Sequence, residues 1–217
     1  MEVVLEVSTF TKNSSLDTYA ADYLVNLSSD TRNYCVGMVD MVNSTKISST
    51  LGNAKISTYY QIFLNSMSKI VSRFGGFVIK NIGDCLVYYF PESSNRNRKF
   101  GFMSCLECSL AMVERRDDVC KVLSQNNLPS VDYRVSADYG SVVIMKTNNT
   151  DSLDMIGPPV NMCNKINHIA TPNGTVIGGD LYTMVKKFDD YRFKEVKGFD
   201  LGFKNSYPAY SLGRNKC

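Results

Sequence analysis

The chain has 217 residues, of which 44% are hydrophobic and 21% charged, and its formal net charge is +3. This length and composition are typical of a globular protein that buries a core of its own in about one domain. The basic residues are scattered and no apolar stretch approaches the roughly 20 residues of a membrane span, so we expect neither nucleic acid nor a membrane as partner.

The N-terminus and the cysteines both predict a cytoplasmic protein. The first residues lack the basic start and the apolar core of a signal peptide. The seven cysteines are odd in number and several lie in apolar runs, as buried free thiols do. Cys105 and Cys108 form a CxxC pair, but the chain has one histidine, His168, and no second pair that would complete a zinc site.

The first elements follow an N-terminal stretch. We assign residues 1–30 to an extension and residues 31–217 to one catalytic domain. Residues 34–42 are apolar and β-prone, which predicts a buried strand. Apolar residues spaced three and four apart then predict one amphipathic helix over residues 45–74, which Gly75-Gly76 ends.

A hairpin and a second helix come next. Two short β-prone runs, residues 77–82 and 85–90, flank Gly83-Asp84, which favours a tight hairpin turn. The apolar pattern then predicts a second long helix from about residue 103 to residue 124. Two further strands, residues 133–138 and 141–146, are expected on either side of Gly140.

The C-terminal third contains smaller elements. Residues 147–152 are polar and predict a loop, and residues 158–170 predict a helix with a proline in its first turn. A short strand over residues 175–177 and a short helix over residues 180–187 precede two final strands within residues 191–212. This mixed order predicts an α+β fold, with an antiparallel sheet and helices on one face.

The first candidate site lies at the end of the first strand, in residues 39–45 (VDMVNST). Asp40 closes the apolar strand, and Ser44 or Thr45 is expected to cap the following helix. The free amide groups and the dipole of a helix start favour an anion such as a triphosphate. An ordinary strand-to-helix turn would give the same pattern.

The second candidate site is the predicted hairpin. Lys80 interrupts an apolar strand and Asp84 lies at the turn. If the strands are neighbours, Asp40 and Asp84 would share divalent cations, and their hard oxygen ligands suit Mg²⁺ or Mn²⁺. The alternatives are a lysine that extends its stem to solvent and a Gly-Asp pair that only makes the turn.

The third candidate site is the helix after residue 157. Asn161 and Lys165 are four residues apart and therefore lie on one helix face. The opposite side carries apolar residues. A solvated helix face would look the same.

Taken together and in order, these segments resemble the class III adenylate and guanylate cyclase catalytic domain of the archaeal or bacterial type. The resemblance covers about residues 34–212. It implies a ferredoxin-like palm with a mostly antiparallel sheet flanked by helices. The matching motifs are VDMVNST at 39–45, GG at 75–76 with KNIGD at 80–84, RVSADYG at 134–140, DMIG at 154–157 with VN at 160–161, and PNG at 172–174.

The resemblance also implies two-metal catalysis. Asp40, Asp84 and the carbonyl of Met41 match the ligands of two divalent cations, Mg²⁺ or Mn²⁺. The ions would bridge the triphosphate and activate the ribose 3′-hydroxyl, which attacks the α-phosphorus as pyrophosphate leaves. Asn43, Ser44 and Thr45, after the metal-binding position, would contact the substrate.

Base recognition and catalysis are implied at four positions. Lys80 and Asp154 match the base-recognition pair, and their donor and acceptor favour adenine, hence ATP and cyclic AMP signalling. Asn161 matches the asparagine that orients the ribose. Lys165 stands where the family usually has a transition-state arginine, and Phe199 where many members place a triphosphate-binding lysine. Lysine keeps the charge but not the planar bidentate fork of arginine.

The family builds each active site between two protomers, so the resemblance implies a head-to-tail homodimer. Two other functions stay open. One is a cyclase for GTP or a pyrimidine nucleotide. The other is a degenerate cyclase domain that binds a nucleotide as a regulatory module, which the departures at Lys165 and Phe199 favour.

Overall fold

A computed structural model describes residues 25–147, 150–197 and 207–215, and in them the chain forms a mixed α+β fold around one eight-stranded sheet. The strands are β1 (Val25–Met41), β2 (Phe77–Ile82), β3 (Cys85–Phe90), β4 (Tyr133–Thr147), β5 (Thr150–Ile156), β6 (Thr175–Gly178), β7 (Tyr191–Glu195) and β8 (Ala209–Arg214). The helices are α1 (Ser44–Thr50), α2 (Asn53–Arg73), α3 (Lys99–Glu114), α4 (Arg116–Gln125), α5 (Pro158–Asn167) and α6 (Gly179–Val185). None of the helices in these described ranges is both long and apolar enough to cross a membrane.

The sheet is mostly antiparallel, as predicted. Its strand order is β2-β3-β1-β4-β6-β8-β7, with β5 paired to the far end of β4. The pair formed by β4 and β6 is parallel, and the other pairs are antiparallel. The α+β class with a sheet flanked by helices is therefore confirmed.

The prediction that the helices lie on one face is wrong. Alternate residues of β1 point to opposite faces, and both sets are apolar. Cys35 and Val39 belong to the large core that α2, α3, α4 and α6 cover. Val36 and Met38 face the other side, where Cys163 of α5 packs on them. Helix α5, which carries Asn161 and Lys165, is therefore alone among the described helices on its face of the sheet.

Several predicted boundaries also need correction. The helix predicted over residues 45–74 is divided at Leu51 and Gly52, both of which have extended backbone. The second long helix is divided at Arg115. No turn occurs at Gly140, because β4 runs straight through it, and β5 occupies the second half of the loop predicted over residues 147–152. The hairpin of β2 and β3 has the predicted bounds, whereas β1 begins earlier than predicted, at Val25.

A buried carboxyl group of β4 links α6 to the segment that precedes β8. Asp138 of β4 is 1% exposed. Its Oδ1 accepts the backbone N–H of Leu181 at 3.2 Å, and its Oδ2 accepts the hydroxyl of Tyr207 at 2.8 Å. Burial outweighs these hydrogen bonds and raises the pKa of Asp138 to about 6.

Asp138 should give the fold a measurable pH dependence. The pKa of Asp138 in the folded state, about 6, lies above the ordinary value of 3.8, so the folded state binds this proton more tightly. Its contribution to stability is fully present below the unfolded pKa and is lost as the pH rises through about 6. We expect the free energy of unfolding of Asp138→Asn, relative to wild type, to increase by about 3 kcal/mol from acid to neutral pH. Urea unfolding of both proteins across this range measures the difference, and parallel curves would contradict it.

Candidate active site

Two aspartates meet where β1 ends beside the β2–β3 hairpin. Val39 is the last residue of β1 that pairs with β3, and its partner is Leu86. Asp40 follows Val39 directly, and Asp84 lies two residues before Leu86. Gly83 has a positive φ of 63°, which a tight turn requires, and places Asp84 at the hairpin tip. The predicted approach of Asp40 and Asp84 is therefore present.

The two carboxylates repel each other electrostatically. Burial raises the pKa of Asp40, and the negative charge of Asp84 raises it further, while His168 and Arg134 lower it. Between them, Cys85 has a pKa raised to about 12, chiefly by burial and then by Asp40 and Asp84. A half-buried pair of like charges is costly unless a cation neutralises it.

The pair fits divalent cations of the Mg²⁺ type. Across the part of the chain that is described, no group of three or more His, Cys, Asp or Glu side chains is arranged to hold a metal ion. An ion here would thus be held by two carboxylates, completed by oxygens from elsewhere. Mg²⁺ is commonly bound in this way, through one or two carboxylates plus substrate phosphates and water. The Met41 side chain is buried in the core, and the role of its backbone carbonyl as a ligand remains a prediction.

The turn after Met41 differs from the prediction. Asn43, not Ser44 or Thr45, is the N-cap of α1, and no side chain makes a capping hydrogen bond there. Asn43 has a positive φ of 58°, which asparagine tolerates better than most residues. Asn43 and Thr45 are exposed and Ser44 is half-buried, all within a few residues of Asp40. Their contact with a substrate remains a prediction.

Lys80 and Asp154 form an ion pair. Lys80 Nζ donates to Asp154 Oδ2, and both side chains are partly exposed. Asp154 Oδ1 accepts the backbone N–H of Met155 at 2.7 Å, which fixes the carboxylate plane. The strands β2 and β5 are not neighbours in the sheet, so the sheet must curl to bring the pair together.

Asn161 and Lys165 line one cavity. They lie one turn apart on α5 and are exposed. The cavity has a volume of about 790 Å³, and its other walls come from β4, β5 and the start of α5. Neither Asp40 nor Asp84 is among the described residues that line it.

Comparison of the sequence with protein-family models identifies the family of this chain. Residues 27–213 match the model of the adenylate and guanylate cyclase catalytic domain. The chain belongs to this family. Among curated proteins, no sequence matches this cyclase domain.

Solved structures agree on the fold of the cyclase domain. The adenylyl cyclase CyaB from P. aeruginosa superposes with a TM-score of 0.76 at 18% identity, over 86% of this chain and 96% of that one. The guanylyl cyclase Cya2 gives 0.75 at 16% identity, over 86% and 95%. The guanylate cyclase domain of RhGC from Catenaria anguillulae, in complex with GTP, gives 0.74 at 17% identity, over 87% and 100%. Both substrate types therefore occur among the similar structures.

Two residues of the cyclase domain received no role from the sequence. Arg134 lies directly opposite Asp40 on β4, and its buried Nε has no hydrogen-bond partner among the described residues. His168 caps the C-terminal end of α5. A charged residue inside the apolar strand 133–137 was a signal for Arg134. Nothing in the sequence pattern marked His168. Phe199, the second departure from the family, lies outside the described residues.

Proposed function

We propose that this cyclase domain is an adenylate cyclase that converts ATP into 3′,5′-cyclic AMP and pyrophosphate. The observation that carries the proposal is the ion pair between Lys80 and Asp154. It places one donor and one acceptor together at the positions that face the base in the family. Adenine offers the complementary edge, since N1 accepts and the N6 amine donates.

Base binding would replace this ion pair by two hydrogen bonds. Lys80 donates to adenine N1 and Asp154 accepts from N6. The backbone N–H of Met155 keeps Asp154 oriented while Lys80 turns to the base. Guanine presents the reverse pattern, with an acceptor at O6 and a donor at N1, and would leave both protein groups without a match.

The acidic pair would anchor the triphosphate. Asp40 and Asp84, with the Met41 carbonyl, would hold two Mg²⁺ or Mn²⁺ ions, which when bound activate the ribose 3′-hydroxyl and neutralise the leaving pyrophosphate. Arg134 lies opposite Asp40, and its guanidinium charge would stabilise a phosphate group held there. The loop that follows Met41, with Asn43, Ser44 and Thr45, would contact the triphosphate beside the aspartates.

Asn161 and Lys165 would complete the site from a second protomer. Asn161 orients the ribose and Lys165 stabilises charge on the α-phosphate in the transition state. Both face a cavity whose described lining contains neither aspartate. A head-to-tail homodimer brings this cavity of one chain to the aspartates of the other and makes two equivalent sites.

The direct test is product analysis. The purified chain is incubated separately with ATP, GTP, CTP and UTP, with Mg²⁺ or Mn²⁺, and the products are analysed by mass spectrometry. We expect cyclic AMP as the main product. A preference for another nucleotide would contradict the role of Lys80 and Asp154 in recognising adenine. Absence of every cyclic nucleotide would favour a nucleotide-binding regulatory module.

Reversing the hydrogen-bonding pattern should reverse the choice of base. In Lys80→Glu/Asp154→Cys, the glutamate accepts from guanine N1 and the thiol donates to O6. We expect kcat/KM for ATP to fall about 100-fold and the ratio of GTP to ATP turnover to rise, since two matched hydrogen bonds become mismatched. Steady-state kinetics with both nucleotides measure the effect.

The matched control is Lys69→Glu, which reverses an exposed lysine on α2 outside the site. It should leave the ATP preference unchanged. If the double variant also keeps its preference for ATP, the proposed contacts to the base are wrong.

A further inference from the structure

Helix α5 is joined to the sheet by a buried polar anchor. Ser136 of β4 is fully buried, and its Oγ donates to the carbonyl of Cys163 at 2.9 Å. The same Oγ accepts a hydrogen bond from Asn167 Nδ2 at 3.2 Å. Asn167, which is 3% exposed, also donates from Nδ2 to the carbonyl of Arg134 at 3.2 Å. One serine and one asparagine therefore connect two successive turns of α5 to β4.

These hydrogen bonds matter because apolar packing alone does not fix the position of a helix. Helix α5 is alone among the described helices on its face of the sheet, where Val160 and Cys163 pack on the strands. Apolar contacts are non-directional, so a helix held by them alone can slide by small amounts. The thiol of Cys163 adds a weak hydrogen bond to the carbonyl of Val36 at 3.2 Å. The stronger, directional contacts are those of Ser136 and Asn167.

The aspartate side of the site has a separate support. Strand β1 is paired with β3 on one side and with β4 on the other, and Asp40 is itself paired with Arg134. Asn167 thus joins α5 to a strand whose position the sheet already determines. Loss of Asn167 should displace α5 and leave Asp40 in place.

The anchored residues and the residues proposed to act on the substrate alternate along α5. Cys163 and Asn167 are one turn apart and buried, whereas Asn161 and Lys165 are one turn apart, exposed, and line the cavity. Lys165 lies midway between the two anchored residues. The anchor on the buried side of the helix therefore determines where the backbone of Lys165 stands.

A lysine at this position depends on the placement of its helix. The ammonium is a point charge on a flexible stem and lacks the planar fork by which an arginine orients itself on a phosphate. The orientation must then come from the backbone that carries it. A misplacement of about 1 Å in a catalytic group can cost about 100-fold in rate.

We propose that Asn167, together with Ser136, is a positioning residue that holds α5 so that Lys165 and Asn161 meet the substrate. The inference rests on the proposed function, since it names the residues that position one half of the same site. The anchor acts in the half that α5 supplies and not in the half that the aspartates supply.

Asn167→Ala removes both donations. It leaves no donor without its acceptor, because Asn167 Oδ1 has no hydrogen-bond partner among the described residues. We expect kcat with ATP to fall about 10- to 100-fold, since Lys165 acts in the transition state. KM for ATP should stay within about threefold, since Lys80 and Asp154 lie on other elements. Steady-state kinetics measure both constants.

Two further variants separate positioning from a general loss of stability. Ser136→Ala should lower kcat in the same direction, and Ser136→Ala/Asn167→Ala should lose little more than the weaker single variant, because both residues belong to one anchor. The control Ser109→Ala removes a buried hydroxyl of α3 that donates to the carbonyl of Cys105 at 2.8 Å. It should keep kcat within about twofold. Thermal melts check folding, and Ser136→Ala replaces Asn167→Ala if the latter does not fold.

Mixing variants shows which half of the site the anchor serves. Asn167→Ala mixed with Asp84→Ala should recover activity, because one site then combines the intact aspartates of the first chain with the intact α5 of the second. Asn167→Ala mixed with Asn161→Ala/Lys165→Ala should recover none, because every α5 is defective. The reverse pattern would mean that Asn167 acts on the aspartates and would overturn the proposal.

Hydrogen–deuterium exchange tests the anchor without any turnover. In Asn167→Ala, the amides of residues 161–167 should exchange about tenfold faster than in wild type, while those of β1 and β3 stay unchanged. Unchanged exchange in α5, an equal increase throughout the sheet, or an unchanged kcat would each overturn the proposal. If wild type forms no cyclic nucleotide from any substrate, the proposed function fails, and the exchange of α5 still decides whether the anchor positions the helix.

Discussion

Replacing Asp84 by alanine is expected to lower cyclic nucleotide formation by roughly 10³-fold or more, since one of the two carboxylates proposed to hold the cations is lost. The substitution should not destabilise the fold. Asp84 lies at a hairpin tip, and its charge raises the pKa of Asp40. Its removal relieves a repulsion between like charges, so the free energy of unfolding should stay equal or increase. Turnover assays with Mn²⁺ and urea unfolding on the same samples measure both effects.

The control for Asp84→Ala is Asn81→Ala in the same hairpin. Asn81 is exposed, and its amide makes only a long 3.5 Å hydrogen bond to the carbonyl of Gly83 within the described structure. This variant should retain most of the activity. Near-normal turnover in Asp84→Ala would contradict the metal role of Asp84. Equal losses in both variants would mean that the hairpin shape matters and not the carboxylate.

Local chemistry made the aspartate pair predictable. Gly83 and Asp84 specify a tight turn between two β-prone runs, and the hairpin formed with the predicted bounds. Asp40 closes the preceding strand. Since β1 and β3 pair antiparallel, the two aspartates had to approach each other. The turn needs no information from distant parts of the chain, whereas the pairing of β1 with β3 is a long-range contact that the sequence pattern left as a condition.

Other features depended on contacts that sequence periodicity does not record. Gly140 was assigned to a turn, but it lies inside β4 because α5 packs closely there. A Cβ at this position would lie 3.2 Å from Cδ of Pro159. The apolar stripe of the predicted helix 45–74 continues across Gly52, so the pattern did not show the break. Which face of the sheet α5 covers depends on how the chain connects the strands, and the periodicity of α5 itself does not contain this information.

The contact between Lys80 and Asp154 also depends on the curl of the sheet. The two residues are 74 positions apart in sequence and lie on strands that do not pair. The family resemblance, and not any local pattern, assigned both residues to the base. Arg134 received no role from the sequence because its position opposite Asp40 depends on the strand register. The position of His168 depends in the same way on the path of α5, whose Asn167 donates to the carbonyl of Arg134.

Two inactive variants should restore activity when mixed, if each site is shared between protomers. Asp84→Ala lacks the metal half, and Asn161→Ala/Lys165→Ala lacks the ribose and transition-state half. In a mixed dimer, one site combines the intact aspartates of one chain with the intact α5 residues of the other. Random pairing makes half of the dimers mixed, each with one intact site of two, so we expect up to about a quarter of wild-type turnover. Turnover of the mixture is measured at concentrations that allow chains to exchange.

The control mixture combines Asp40→Ala with Asp84→Ala. Both changes damage the same half, so every site in every dimer is defective and no activity should return. Recovery in the first mixture together with none in the control requires that the aspartates and α5 act in trans. If neither mixture recovers while mixed dimers are shown to form, each chain must carry a complete site. The face of α5 from Asn161 to His168 would then serve the aspartates of its own chain, to which its C-terminal end already lies close.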